Sequence, residues 1–208
     1  MNDIEEAKQI RQRITVSNKS SVANMHGIEK IKMIRQYCDY LERHLNDVKR
    51  AWEIIQKACT HEKFISDDYD FWTTHYMIEH HDMSKFSKDE FVQYAEWFFG
   101  KYGKNYDFWD DGSAGVETNE VNRNQMDSAW KHHTDNNAHH WQHWTKLPDG
   151  DNQCLHIICM IADWMAMSME LGDSAEDYYK NNKHEMNLPE WADSYIMRIF
   201  SEIKEVAE

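Results

Sequence analysis

Seven glycines and two prolines are all that 208 residues carry to interrupt regular structure. Turns, bulges and strand ends depend on these two residue types, and both fall far below ordinary usage. A chain so short of breakers folds most readily into helices, and its apolar residues recur accordingly. From about Gly27 to Ala58, the residues Ile31, Ile34, Cys38, Leu41, Leu45, Val48, Trp52 and Ile55 return at three- and four-residue steps. Gln153 to Leu171 is a strongly apolar helical stretch, and no convincing pair of strands appears anywhere. With 41% hydrophobic residues the chain can bury one substantial core. The expectation is an all-α protein. Residues 1–26 form an N-terminal helix and connector, and 27–208 a single helical bundle domain.

Further elements follow from the same rules. Asn2 to Val16 reads as an amphipathic helix carrying Ile4, Ala7, Ile10 and Ile14 on one face. "SDDYDFWTTHYMIEHHDMSKF" reads as one helix opened by acidic residues, which suit a helix N-terminus. Ser87-x-x-Glu90 has the form of a capping box that restarts the chain as a helix from about Lys88 to Phe99, closed by Gly100. "KYGKNYDFWDDGSAGVET" is a long loop and "KLPDGD" a turn. Helices are expected from Glu120 to His133 and from Pro189 to Val206.

The charge balance narrows the partners. Thirty-seven acidic against 23 basic side chains give a formal charge of −14, which disfavours a surface built to neutralise a nucleic-acid backbone. Cys38, Cys59, Cys154 and Cys159 show no CxxC spacing, and read as reduced thiols. Neither a charged-then-apolar leader nor an unbroken apolar run of about eighteen residues is visible. The expected location is therefore cytoplasmic, without a membrane partner.

Chemistry concentrates in "MIEHHDMSKFSKDE". His81 and Asp82 are adjacent, about 100° apart if helical, so together they can flank one ion. Lys85 follows at the spacing that puts it on the same helical face. Two more polar residues stand on apolar helix faces: His44 beside the Leu41–Val48 stripe, and Asp163 among Cys159, Ala162, Ala166 and Met167. A carboxylate at such a position costs several kcal/mol unless it is paired, hydrogen-bonded or metal-bound, and its own helix offers no basic partner. Thirteen histidines, nine of them between His75 and His156, supply further donors. Within "HHTDNNAHHWQHW", His143 reads as structural, while His139 and His140 stay open between packing and metal binding. His75 and His80 read as helix-surface residues or as supports behind the ligands.

The ordered set His44, His81-Asp82 and Asp163 resembles the metal signature of the HD-domain superfamily, all-helical and largely metal-dependent phosphohydrolases. "HDMSK" is similar to the HDxGK motif of its cyclic-dinucleotide phosphodiesterase branch, and "IADWMAM" to that branch's last metal motif. "AWKHHTDNN" resembles its histidine pair. The motifs "HDMSKFSKDEF", "AWKHHTDNNAHHWQHW" and "MIADWMAMS" more closely resemble an uncharacterised family of phage and bacterial proteins. The sequence departs from the phosphodiesterase pattern: no histidine lies between Asp82 and His132, and no GYP follows the pair.

The resemblance implies a divalent ion (Mn, Fe, Co, Ni, Zn or Mg) held by His44, His81, Asp82 and Asp163. It also implies catalytic roles for Lys85, as a phosphate contact, and for His132 or His133, as a proton donor. His139 and His140 would add a second ion or touch substrate. The expected activity is hydrolysis of a small phosphate ester, a nucleotide foremost. The alternatives are a di-iron oxygenase of the same fold and a non-catalytic protein that sequesters a nucleotide. A homodimer is compatible with each.

Overall fold

The computed structural model describes residues 26–59, 68–100, 120–145 and 152–207. Among them are seven α-helices and no strand. In chain order these are α1 (Gly27–Ala58), α2 (Asp68–Glu79), α3 (Phe91–Phe99), α4 (Glu120–Asn136), α5 (Gln153–Leu171), α6 (Ala175–Asn182) and α7 (Glu190–Ala207). The all-α expectation holds. The Asn2–Val16 helix, the loop after Gly100 and the "KLPDGD" turn lie outside the described residues.

The chain divides into two compact units, one of residues 1–39 and 87–131, the other of 40–86 and 132–208. In the first, Tyr37 is fully buried against aromatic rings of α3, with Phe91 edge-on at 5.2 Å and Tyr94 stacked at 6.5 Å. This contact resets the buried face of α1. The inward residues are Met33, Tyr37, Leu41, His44, Val48, Trp52 and Ile55, whereas Ile31, Ile34 and Cys38 are exposed. Two stripes overlap from Leu41 onward, and ahead of it the larger aromatic payload of Tyr37 decides which one is buried.

The second unit is organised around α5, which packs against α2, α6 and α7. By length and composition α5 resembles a membrane span, but ten of its residues, from Leu155 to Ala166, are buried in this core. A helix apolar on all sides is a core helix when others surround it. Ile157 and Ile161 are fully buried, as are Ile196 and Ile199 of α7. The helix stops at Gly172, which takes the left-handed conformation (φ 75°) while its N–H donates to the Ser168 carbonyl at 2.8 Å. Glycine fills that position without the cost of a Cβ.

Three local expectations change. The helix through "HHDMSKF" ends early: α2 stops at Glu79, and Met83–Phe86 is a 3-10 turn. No capping box forms at Ser87, because α3 begins at Phe91 with Glu90 as its N-cap. The Ser87 carbonyl, not its hydroxyl, accepts the Phe91 N–H at 3.0 Å. Helix α6 is an addition. Its signal was present in Ser174, whose hydroxyl accepts the Asp177 N–H at 3.3 Å in the manner of a cap.

Ile161 is fully buried in the core that α5 organises. Ile161→Ala should lower unfolding free energy by about 2–5 kcal/mol, read from urea denaturation followed by circular dichroism. A loss below about 1 kcal/mol would mean that α5 is not the centre of this core.

Candidate metal centre

The break after α2 is what builds the site. His80 leaves the helix, and His81 N–H reaches only the Ile78 carbonyl, at 3.1 Å. Asp82 then takes a left-handed backbone with φ 57°. Aspartate tolerates this region better than most residues, at a cost of order 1–2 kcal/mol. Lys85 N–H donates to the Asp82 carbonyl at 2.9 Å and closes the 3-10 turn. His81, Asp82 and Lys85 are thus presented by a tight turn and not by one helical face. All three side chains are buried.

Each oxygen of Asp82 meets a different set of partners. Oδ2 lies 3.3 Å from His44 Nε2, 3.6 Å from His81 Nε2 and 2.6 Å from Lys85 Nζ. Oδ1 lies 3.2 Å from both His133 Nε2 and His139 Nε2. On the Oδ2 side, Asp163 Oδ1 stands 3.3 Å from His44 Nε2 and 3.4 Å from His81 Nε2. On the Oδ1 side, His133 and His140 bring their Nε2 atoms to 2.8 Å. Two clusters result, His44/His81/Asp163 and Asp82/His133/His139/His140, in each of which the donor atoms lie within 4.8 Å of one another.

This arrangement fits metal ligands. Two atoms bound to one ion at about 2.1 Å stand about 3.0 Å apart at a right angle and about 3.4 Å at the tetrahedral angle. The separations here, 2.8 to 3.6 Å, fall around those values. Four of the converging atoms, His44 Nε2, His81 Nε2, Asp82 Oδ1 and His139 Nε2, are buried without a hydrogen-bond partner. Orphaned buried polar atoms are rare because each forfeits its hydration. A cation in each cluster would satisfy them, His44 and His81 in one and Asp82 Oδ1 and His139 in the other.

Electrostatics separates the two clusters. Burial opposes charge on His44, but the carboxylates of Asp163 and Asp82 outweigh it and push its pKa up to about 9. Burial also opposes charge on Asp82 and Asp163. His81, Lys85 and His133 overcome this at Asp82, as His44 and His81 do at Asp163, and hold both well below the usual carboxylate range. His139 is lowered to about 4 by burial and by His81. His140 is lowered by burial and by its neighbours His139 and His133. These two imidazoles are neutral at physiological pH, the form that can donate a lone pair.

The structure brings together His44, His81, Asp82, Lys85, His133, His139, His140 and Asp163. It does not bring in His132, which is half-buried on α4 and belongs to neither cluster. His143 is structural, its Nδ1 donating to the Thr134 carbonyl at 3.0 Å. His80 is exposed and stacks on Tyr76, with Nδ1 donating to the Tyr76 carbonyl. His75 packs parallel to Phe71. Sequence reasoning left out Ser84 and Asn137, which surround His133 Nδ1 at 3.1 Å each. Tyr40 was also left out; it stacks parallel to His44 one turn away. Tyr40 had a readable signal, since it precedes His44 by four residues on one helix.

The fold and this cluster define an all-helical protein with a buried histidine–aspartate centre that could hold metal. The chain belongs to a family of unknown function, DUF5662, whose model matches residues 33–205. The match takes in every residue of the centre. No curated protein and no solved structure matches the chain.

A protonated His44 cannot ligate, so an entering cation must displace its proton. Apparent affinity of the His44/His81/Asp163 cluster should therefore rise with pH, by about tenfold per unit from this proton alone, and level off near pH 9. Calorimetric titration in buffers of different ionisation enthalpy should detect the released proton near neutral pH. An affinity that does not change across the neutral range would contradict the charge state assigned to His44.

Proposed function

We propose that the protein is a metal-dependent phosphohydrolase acting on a nucleotide or another small phosphate ester. The observation that carries this reading is the buried Asp82 carboxylate, turned by one oxygen to His44, His81 and Lys85 and by the other to His133 and His139. A structural site closes four ligands around one ion. A carboxylate shared between two imidazole clusters is suited instead to a pair of divalent ions, the arrangement that serves phosphoryl transfer. The imidazole-rich donor set favours Fe, Co, Ni, Zn or Mn over Mg, which prefers oxygen.

Charge supports an anionic substrate. Five neutral imidazoles, two carboxylates and one ammonium would leave about three positive charges once two divalent ions are held, which favours a multiply charged anion. Bound ions would supply Lewis acidity toward water and toward a phosphoryl oxygen. The chain's own contribution is placement. Lys85, paired with Asp82 Oδ2 at 2.6 Å, is the ammonium of the site and in this reading would contact a phosphoryl oxygen. His133 faces Asp82 through Nε2, so in this reading it is a ligand and not the proton donor. Its neighbour His132 is not among the donors of either cluster.

A second reading rests on the same donors. Five imidazoles spread over two clusters also suit a di-iron oxygenase, because neutral nitrogen ligands stabilise ferrous iron. Two irons per chain together with oxygen consumption would favour it over hydrolysis.

Elemental analysis of metal-reconstituted protein should give two ions per chain. His44→Ala and His139→Ala should each lose one, and Asp82→Ala both. A panel of nucleotides and phosphomonoesters should show phosphate release that chelator abolishes. Lys85→Met should keep both ions and lose about 10²–10³-fold in kcat/KM. Tight nucleotide binding without turnover in metal-replete protein would replace hydrolysis by sequestration.

A further inference from the structure

Two polar side chains outside the ligand set converge on one ligand. Ser84 Oγ lies 3.1 Å from His133 Nδ1, across 49 residues of sequence. Asn137 Nδ2 donates to Ser84 Oγ at 2.7 Å and to the His133 carbonyl at 2.7 Å, and stands 3.1 Å from the same Nδ1. Ser84 belongs to the 3-10 turn that follows Asp82, and Asn137 is the first residue after α4. The turn that carries the shared carboxylate is thereby clasped to the helix end that carries His133.

We infer that Ser84 and Asn137 are positioning residues for His133, holding its ring so that Nε2 faces Asp82 Oδ1 and completing the second ion position. The inference deepens the proposed function and rests on its two-ion centre. Asn137 has a conventional role too, since its amide donates to the His133 carbonyl in the last turn of α4. Ser84 has none. Among the described residues its hydroxyl bonds only to His133 and Asn137, and it caps no helix. Its backbone φ is negative, so the turn itself does not select it. A hydroxyl has two acceptor lone pairs and can therefore take both an Asn137 N–H and a proton on His133 Nδ1. With the proton on Nδ1, Nε2 is the nitrogen that carries the lone pair an ion would take. Metal-bound imidazoles are commonly fixed through their other nitrogen, and losing that partner typically weakens metal binding about 10–100-fold.

The test isolates each position in full-length protein. A His44→Ala background keeps the His133 cluster, and a His139→Ala background keeps the His44 cluster. Cobalt(II) is titrated into each and followed by its ligand-field absorbance. Adding Ser84→Ala should weaken binding about 10–100-fold in the first background and less than about threefold in the second. The ligand-field bands of the first should shift, and circular dichroism of both should match their parents. Equal weakening in both backgrounds, or none in either, overturns the inference. A parent protein that takes up fewer than two ions overturns the two-ion centre itself, and is distinguishable because it needs no Ser84 variant.

Discussion

A fully buried carboxylate with two differently occupied oxygens is the constraint on which the centre depends. Asp82 is 1% exposed. Desolvating such a charge costs several kcal/mol, and only compensating charge can retain it as an anion. Lys85 supplies one ion pair, and His44, His81, His133 and His139 bring nitrogen atoms to within 3.6 Å. The carboxylate makes these contacts from a turn and not from a continuous helix. The left-handed backbone at Asp82 aims the carboxylate between the clusters and lets Lys85 fold back over it. Local strain here has a direct structural return. Strain of this kind persists where the surroundings over-determine it.

Those surroundings come from the apolar core. Asp163 sits on α5 next to Ala162 and Trp164, both buried, and so moves only if the core helix moves. His44 is fixed on α1 between Leu41 and Val48, both inside the fold. A metal centre needs its donors held to about half an ångström, and rigid helices achieve this better than loops. The two less regular contributors, the Asp82 turn and the segment from Asn137 to Trp144, have their own fastenings. In the latter, Trp144 Nε1 donates to the Ala138 carbonyl at 2.8 Å and His143 to that of Thr134. His143 and Trp144 are thus structural, while His139 and His140 of the same segment belong to the donor set.

How much was legible depended on what kind of signal each residue left. Long apolar periodicity gave α1 and α5 their limits, because many residues vote for the same face. The same voting made His44 and Asp163 conspicuous, as polar residues where burial without a partner is costly. The break after Glu79 left no such trace. No glycine or proline marks it, and an aspartate in a left-handed conformation looks in sequence like any helical aspartate. Hence His81, Asp82 and Lys85 were found while the geometry joining them was not. The second cluster was obscure for a related reason. His133 ends a helix while His139 and His140 lie beyond it, and only the reversal after Asn136 brings their nitrogens together. Ser84 and Asn137 are ordinary polar residues whose partner is 49 and four positions away, which no local pattern exposes. The family match places the chain among relatives of unknown function and so adds nothing about chemistry.

The two clusters share a carboxylate but differ in what they require of an ion. Near neutral pH burial keeps His139 and His140 neutral, helped by His81 at the first and by His139 and His133 at the second, which is the form in which an imidazole can ligate. His44 holds a proton because two carboxylates favour its charged form. An ion binding at the His44 cluster would therefore have to expel a proton, while one binding at the His133 cluster would meet no such barrier from His139 or His140. An ion held at the latter position would withdraw charge from Asp82, and the carboxylate would then stabilise protonated His44 less. In the proposed two-ion reading, Asp82 is the group through which the two positions would be coupled.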